Sequence, residues 1–265
     1  MRNPVTVIGR GVLDVLGGVC GVLALLADTL KSILLGPFTG KMPKRQSVFQ
    51  QMVFTGVQSF VIVFFVTFFT GVVICMQSAY QLKQLGAVIY VAPMVAISLA
   101  RELSPVFVAL VVAGRVGSAI TAELGTMKVS EQIEALETLA IDPVRFLVVP
   151  RFVSLLVMVP ALTILGNIIG IAGGMVVGIF NLKLNMYRYI SFSFDMMTWK
   201  DIWSGLVKSV AFAVIIALIS CFVGLETKGG AEGVGKSTTR SVVLSFIMII
   251  LFDCILTGIF FFSNV

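Results

Sequence analysis

Four charged residues lie within stretches of sequence that are otherwise almost entirely apolar. Arg101 and Glu102 fall in one such stretch, Lys208 in a second and Asp253 in a third. Inserting a charged side chain at the centre of a membrane helix costs about 2.5–3.5 kcal/mol, and such residues commonly pair with one another or serve a function. Because the two positive and two negative charges balance, we expect them to meet inside a helical bundle. A polar cavity there can bind a charged or zwitterionic headgroup, or relay protons.

Simpler interpretations of the same residues stay open. Lys208 is only a few residues from the end of its apolar stretch, so its ammonium group can extend to the membrane surface. The Arg101–Glu102 pair and Asp253 can instead form an ion-pair network with a purely structural role. We favour a functional cluster, since charge inside a membrane is functional by default.

The composition indicates an integral membrane protein. Of the 265 residues, 58% are hydrophobic and 12% are charged, and the mean hydropathy is +1.07. Soluble domains carry about 25% charged residues, so a soluble enzyme, a disordered tail and a disulfide scaffold are excluded. The sequence has no histidine and four isolated cysteines, which predicts no metal site.

Five apolar segments are long enough to cross a bilayer, which takes about 20 residues. A further apolar stretch, 5–35, has polar or small residues about every 3.5 positions and predicts an amphipathic helix in the membrane interface. A signal peptide is the competing interpretation of that stretch. We therefore predict an all-α integral membrane protein, with an interfacial helix and basic linker in 1–46 and a membrane domain in 47–265. The five predicted spans are 54–76, 86–114, 152–180, 202–225 and 242–262.

The distribution of basic residues predicts the orientation in the membrane. With the N-terminus inside, 13 lysine and arginine residues lie in cytoplasmic segments and four lie outside, as the positive-inside rule requires. The N-terminus is therefore predicted to be cytoplasmic and the C-terminus periplasmic. This distribution also accounts for the net charge of +6 without a nucleic-acid partner.

A short cytoplasmic helix is predicted between the second and third spans, from Glu131 to Asp142. Ser130 can cap its start and Pro143 forces it to end. Ile133, Leu136 and Ala140 share one side of this helix. The polar side carries Gln132 and three glutamates, which are Glu131, Glu134 and Glu137.

A solvated connector is the simpler interpretation of this predicted helix. However, a short exposed helix has little stability without a partner, and its acidic residues lie on an otherwise basic cytoplasmic surface. We therefore expect it to dock on a cytoplasmic protein, in the helix-in-groove mode.

Two glycine patterns have structural explanations. Residues 230–237 match the letters of a phosphate-binding loop, but no strand precedes them and the chain has no nucleotide-sized soluble domain. We therefore expect a tight cytoplasmic turn there and no ATP binding. The third predicted span carries four glycines at four-residue spacing, which predict close packing against another helix. They are Gly166, Gly170, Gly174 and Gly178.

Residues 100–151 (ARELSPVFVALVVAGRVGSAITAELGTMKVSEQIEALETLAIDPVRFLVVPR) resemble the signature region of the MlaE/YrbE permease family. Residues 229–243 (GGAEGVGKSTTRSVV) resemble the last cytoplasmic loop of that family. Members of the family are membrane subunits of ABC-type phospholipid transporters that serve MCE-domain proteins and maintain the lipid asymmetry of the outer membrane. One departure is Ser104, where the family usually has a glycine.

The resemblance implies partners and roles. It implies a homodimer in the bacterial inner membrane, moving phospholipid to or from a periplasmic MCE-domain oligomer. It also implies a separate cytoplasmic ABC ATPase, which binds ATP and Mg²⁺ and docks on the helix from Glu131 to Asp142, often together with a STAS-domain protein. No cofactor is then expected on this chain. The charged cluster of the family corresponds to Arg101, Glu102, Lys208 and Asp253.

Two other functions compete with an ATP-driven permease. A secondary transporter would use Glu102 and Asp253 as proton or sodium sites, although the sequence lacks the internal repeats typical of that class. A membrane scaffold that only recruits cytoplasmic proteins would not need the buried charges at all.

Overall fold

Helices take up nearly every residue that the structure describes. The structure is a computed structural model, which describes residues 4–35 and 45–262, with the side chains of 17–34, 45–260 and 262. The described part contains no β-strand. Its continuous helices are α1 (Pro4–Leu35), α2 (Arg45–Gln84), α3 (Val88–Val129), α4 (Gln132–Thr138), α5 (Val144–Phe180), α6 (Met186–Met196), α7 (Trp199–Leu225) and α8 (Gly230–Phe262).

Six of these helices are long and apolar enough to cross a membrane, namely α1, α2, α3, α5, α7 and α8. The prediction of an all-α integral membrane protein is therefore confirmed. In α1 the apolar window is Gly17–Leu34. This part of α1 packs against α7 and the start of α5, and Thr29 is fully buried there. The interfacial position of α1 stays a prediction, and its side chains before Gly17 and residues 36–44 of the linker lie outside the described part.

The crossing helices extend beyond most of the predicted spans, because hydropathy marks the apolar part of a helix and backbone hydrogen bonding continues through polar residues. The helix start at Arg45 also precedes the predicted domain boundary after residue 46. The tight turn expected at residues 230–237 is wrong, because this glycine-rich stretch is helical and the chain turns at 226–229 instead. The helix α2 covers 45–84 where 54–76 was predicted, α3 covers 88–129 where 86–114 was predicted, and α5 covers 144–180 where 152–180 was predicted. The helix α7 covers 199–225 where 202–225 was predicted, and α8 covers 230–262 where 242–262 was predicted.

Three of the long helices contain five-residue π-helical segments, which we number along the chain. After each segment a backbone N–H donates to the carbonyl five residues back, so it passes over the carbonyl that an α-helix would use. The first segment is in α2, the second and third are in α3 and the fourth opens α5. They are Val53–Val57, Leu99–Leu103, Ala113–Gly117 and Val144–Val148.

The glycine face of α5 contacts three other helices. A methyl group added at Gly170 would lie 3.0 Å from a methyl carbon of Leu99 on α3 and 3.2 Å from the carbonyl oxygen of Thr67 on α2. Methyl groups added at Gly174 and Gly178 would meet Tyr189 of α6, whose side chain is buried. All four glycines predicted to pack are buried: Gly166, Gly170, Gly174 and Gly178.

The closest approach in this region is made by a glycine on the opposite helix. A methyl group at Gly71 of α2 would lie 1.9 Å from the carbonyl oxygen of Gly170, and one at Gly173 would lie 2.3 Å from that of Phe68. The backbones of α2 and α5 are therefore in direct contact, which requires small residues on both helices.

We expect Gly71→Ala to destabilise the protein by about 1–3 kcal/mol, since the methyl group forces α2 away from α5. Gly258→Ala on α8 is the matched control, because the space around Gly258 is open. Thermal unfolding of both variants in detergent checks the prediction. Equal midpoints for the two variants would contradict the close contact between α2 and α5.

Candidate functional site: a buried lysine between two carboxylates

The side chain of Lys208 is 1% exposed although it carries a charge. It extends from α7 towards α3 and α8. The Nζ atom donates a hydrogen bond to Oε2 of Glu102 on α3 and another, 2.7 Å long, to Oγ1 of Thr257 on α8. It also lies 2.9 Å from Oδ1 of Asp253, an ion pair without hydrogen-bond geometry. Lys208 therefore does not extend to the membrane surface but joins three helices.

Thr257 completes this cluster and was not found from the sequence. Its hydroxyl accepts the hydrogen bond from Lys208, and its own proton lies within reach of the Asp253 carbonyl at 2.7 Å and the Glu102 carboxylate at 3.2 Å. A signal was present, because Thr257 follows Asp253 by four residues and so shares its helix face.

Arg101 lies outside this cluster. Its Nη1 atom is 3.5 Å from Oδ1 of Asp201, near the start of α7. Asp201 also accepts hydrogen bonds from the backbone and hydroxyl of Thr198, which caps α7. Asp201 and Lys208 are seven residues apart on one face of α7, so Arg101 and Glu102 both reach that face. The four predicted residues therefore do not form a single cluster. Lys208 pairs with Glu102 and Asp253, whereas Arg101 pairs with Asp201.

The second π segment positions Glu102 against α7. The N–H of Ser104 donates to the carbonyl of Leu99 and passes over that of Ala100. A methyl group added at Gly205 of α7 would lie 2.0 Å from the oxygen of Ala100. The two backbones therefore touch within one turn of Lys208, and this contact holds the carboxylate of Glu102 within reach of the lysine.

The charges of the cluster do not cancel. Glu102 and Asp253 carry two negative charges and Lys208 carries one positive charge. The two carboxylic side chains are 35% and 24% exposed, whereas the lysine is covered. A partly exposed cluster with a net negative charge can accept a cationic group.

We expect Lys208→Met to lower the free energy of unfolding by about 2–3 kcal/mol, since it leaves two carboxylates together without a counter-charge in a partly exposed site. Adding Glu102→Gln and Asp253→Asn removes that repulsion and should recover most of the loss. Thermal unfolding of the single and triple variants in detergent is the measurement. A triple variant no more stable than Lys208→Met would contradict the ion-pair assignment.

The helix predicted from Glu131 to Asp142 is shorter in the structure and covers Gln132–Thr138. Glu131 and Ala140 have left-handed φ angles of 59° and 57°, which break the helix at both ends. Ser130 does not cap α4, because its hydroxyl donates to the carbonyl of Thr126 in α3. Asp142 lies just before the next helix, α5, and its Oδ1 accepts the N–H of Val144 at 3.0 Å.

The two sides of α4 have different environments. Ile133 is buried and Leu136 is half-buried in the main core. Gln132 and Glu137 are exposed, and Leu139, just after the helix, is 69% exposed. The polar side of α4, together with Leu139, is therefore the surface that a partner protein can contact. We call this surface the α4 surface.

Glu134 forms an ion pair with Lys128. Lys128, at the end of α3, donates a hydrogen bond to its carboxylate. This hydrogen bond is the main reason that the pKa of the Glu134 carboxyl lies below its ordinary value. The ion pair fixes α4 to the end of α3.

The stretch that matches the letters of a phosphate-binding loop is the first part of α8. Lys236 lies on the helix surface and pairs with Glu232, one turn earlier, at 2.6 Å. Residues 230–237 are thus helical throughout. A phosphate-binding loop needs non-helical backbone before a helix N-terminus, and this stretch does not provide it.

A model of the family described as Permease MlaE matches residues 48–259. The chain belongs to the MlaE permease family. A probable ABC transporter permease protein of Rickettsia typhi is 42% identical over 214 residues, covering 81% of this chain and 83% of that protein. The intermembrane phospholipid transport system permease protein MlaE of Haemophilus influenzae is 38% identical over 233 residues, covering 86% and 89%. The chloroplastic protein TRIGALACTOSYLDIACYLGLYCEROL 1 of Arabidopsis thaliana is 36% identical over 231 residues, covering 86% and 65%.

Arg101, Glu102, Lys208 and Asp253 all fall in the matched region, as do Thr257, Asp201 and the α4 surface. The match begins inside α2, so α1 lies outside it. Membership of this family indicates that the chain is a permease in a membrane. The resemblance found in residues 100–151 is thereby confirmed.

Proposed function

We propose that this chain is the membrane permease of an ATP-driven phospholipid transporter. It moves lipid between the inner membrane and a periplasmic MCE-domain carrier and so maintains the lipid asymmetry of the outer membrane. The observation that carries the proposal is the buried Lys208 held between Glu102 and Asp253, a charged site among long helices that are mostly apolar. The name of the Haemophilus influenzae relative, a phospholipid transport permease, supports the substrate class.

A zwitterionic headgroup fits the charges of the site. Arg101 is about a third exposed and has only a 3.5 Å ion contact to Asp201, so its guanidinium can donate hydrogen bonds to a phosphate. The exposed oxygens of Glu102 can accept from an ammonium group. The acyl chains would then lie against apolar surfaces of the helices.

The transporter contains further subunits. Two copies of the chain form a homodimer, and a cytoplasmic ABC ATPase with a STAS-domain protein docks on the α4 surface. ATP and Mg²⁺ bind to that ATPase and not to this chain, in accord with the helical backbone of residues 230–237. The name of the Rickettsia typhi relative, a probable ABC transporter permease protein, supports an ABC complex.

Transport requires that the ATPase favour different permease states with and without nucleotide, since a partner that binds both states equally shifts nothing. The N-terminus lies in the cytoplasm and the C-terminus in the periplasm, which places α4 on the side where ATP is available. The protein resides in the bacterial inner membrane.

Purification in mild detergent, followed by mass spectrometry of proteins and lipids, tests the proposal. We expect an ABC ATPase, an MCE-domain protein and bound phospholipid to be recovered with the permease. Recovery of the permease alone and without lipid, under conditions that preserve other ABC complexes, would contradict it. Ion-gradient-driven uptake without any partner, abolished by Asp253→Asn, would favour a secondary transporter.

A second experiment tests the docking surface. Glu137→Lys combined with Leu139→Asp changes two exposed residues, so we expect the fold to survive and the amount of copurified ATPase to fall at least about tenfold, typical of a lost binding hot spot. The control is Asp195→Lys in α6, an exposed charge reversal away from α4. Equal recovery of the ATPase with both variants would place its docking site elsewhere.

A further inference from the structure

Arg115 connects α3 to α2 next to π-helical segments of both helices. It lies in the third π segment, and its guanidinium reaches α2 beside the first. Nη1 donates to the carbonyl oxygen of Phe54 at 3.0 Å and to the hydroxyl of Ser59 at 2.8 Å. Nη2 donates to Oε1 of Gln58 at 2.8 Å. The guanidinium carbon is also 5.1 Å from the centre of the Phe54 ring, within cation–π range.

The first π segment makes the Phe54 carbonyl available to Arg115. In an α-helix the N–H of Gln58 would donate to that carbonyl, four residues back. Here it donates to the carbonyl of Val53, five residues back. The guanidinium therefore donates to an oxygen that the π turn has passed over, and the contact depends on the irregular backbone as well as on the side chain.

The third π segment has a matching local feature. The N–H of Ser118 donates to the carbonyl of Ala113 and passes over Gly114. The hydroxyl of Ser118 donates to the Gly114 oxygen at 2.5 Å instead. Both irregular segments at this joint are thus stabilised by specific side chains.

A continuous path of contacts runs from α4 to this joint. Glu134 of α4 is paired with Lys128 at the end of α3. One turn or so earlier, Glu123 of α3 pairs at 2.8 Å with Arg151 of α5, whose side chain is 5% exposed. The α-helical part of α3 then runs back without interruption to the third π segment. A displacement of α4 therefore reaches Arg115 through one helix.

We propose that Arg115 is a positioning residue for transport, which makes α2 follow movements of α3 and α4. The inference rests on the proposed function, in which an ATPase moves α4. The helix α2 carries exposed aromatic side chains, including Phe65 and Phe69, so its position decides where an apolar surface is offered to acyl chains. Without the guanidinium, α4 and α3 still move, but α2 loses its polar connection to the third π segment and follows them less closely.

The test compares transport per ATP hydrolysed. The permease and its ATPase are reconstituted in vesicles of phosphatidylethanolamine and phosphatidylglycerol with a trace of fluorescent phosphatidylethanolamine, and quencher accessibility reports lipid movement. For Arg115→Ala we expect ATP hydrolysis to stay within about twofold of the wild type and lipid moved per ATP to fall about tenfold or more, the scale of one lost charge-assisted hydrogen bond. Arg115→Lys keeps the positive charge but not the planar guanidinium that donates several hydrogen bonds at once. For this variant we expect lipid moved per ATP to fall by an intermediate factor of about threefold.

The control is Arg188→Ala in α6, which removes an exposed arginine outside this joint and should leave the ratio near that of the wild type. Unchanged lipid movement per ATP in Arg115→Ala would overturn the inference alone. Parallel loss of ATP hydrolysis and transport in both Arg115 variants, with a lower unfolding temperature, would assign Arg115 to stability and also overturn it. A wild-type complex that moves no lipid would overturn the proposed function and this inference with it.

Discussion

The burial of one ammonium group constrains the centre of this bundle. Lys208 cannot hydrate, so its charge has to be met by groups on neighbouring helices. Glu102 comes from α3, and Asp253 and Thr257 come from α8. Three helices, of which α3 is distant from the other two in the chain, are thereby fixed at one point. The direct backbone contact between Ala100 and Gly205 exists beside this point, and it brings α3 close enough for a short side chain to reach the lysine.

The helix α3 links the features that matter for function. It carries Glu102 near its middle and Arg115 further along, and it ends beside α4. Each of these contacts is made at or near an irregular turn or a helix end. The regular parts of the helix hold these contact points at fixed positions relative to one another. The π segments and the helix end form the connections to α7, α2 and α4. Such an arrangement suits the proposed function, in which the energy source of the permease is a separate protein.

The sequence predicts those parts of the fold and site that depend on the free energy of moving a side chain from water into the membrane. Charge in an apolar stretch is costly wherever it lies, so Lys208 and Asp253 could be found without knowing their partners. Asp201 was missed because it lies in the polar first turn of α7, where an acidic residue needs no special explanation. The predicted ends of α4 were wrong, because glutamate and alanine give no reliable sign of the left-handed backbone found at Glu131 and Ala140. The π segments likewise depend on contacts across helices that no local pattern reveals.

The two π turns of α3 have a consequence for how this protein tolerates changes in chain length. A π turn encloses one residue more than an α turn, so everything beyond it is rotated by about 100° relative to an unbroken helix. The faces that α3 presents to Lys208, to α2 and to α4 are therefore set by where the extra residues lie. Deleting one residue within Ala113–Gly117 would remove the extra residue and restore a regular helix, so the end of α3 would still face its partners. A deletion in a regular part of α3 would instead turn everything beyond it by about 100°, although every interacting side chain would still be present. The regular parts of α3 are therefore more sensitive to insertions and deletions than its π segments are.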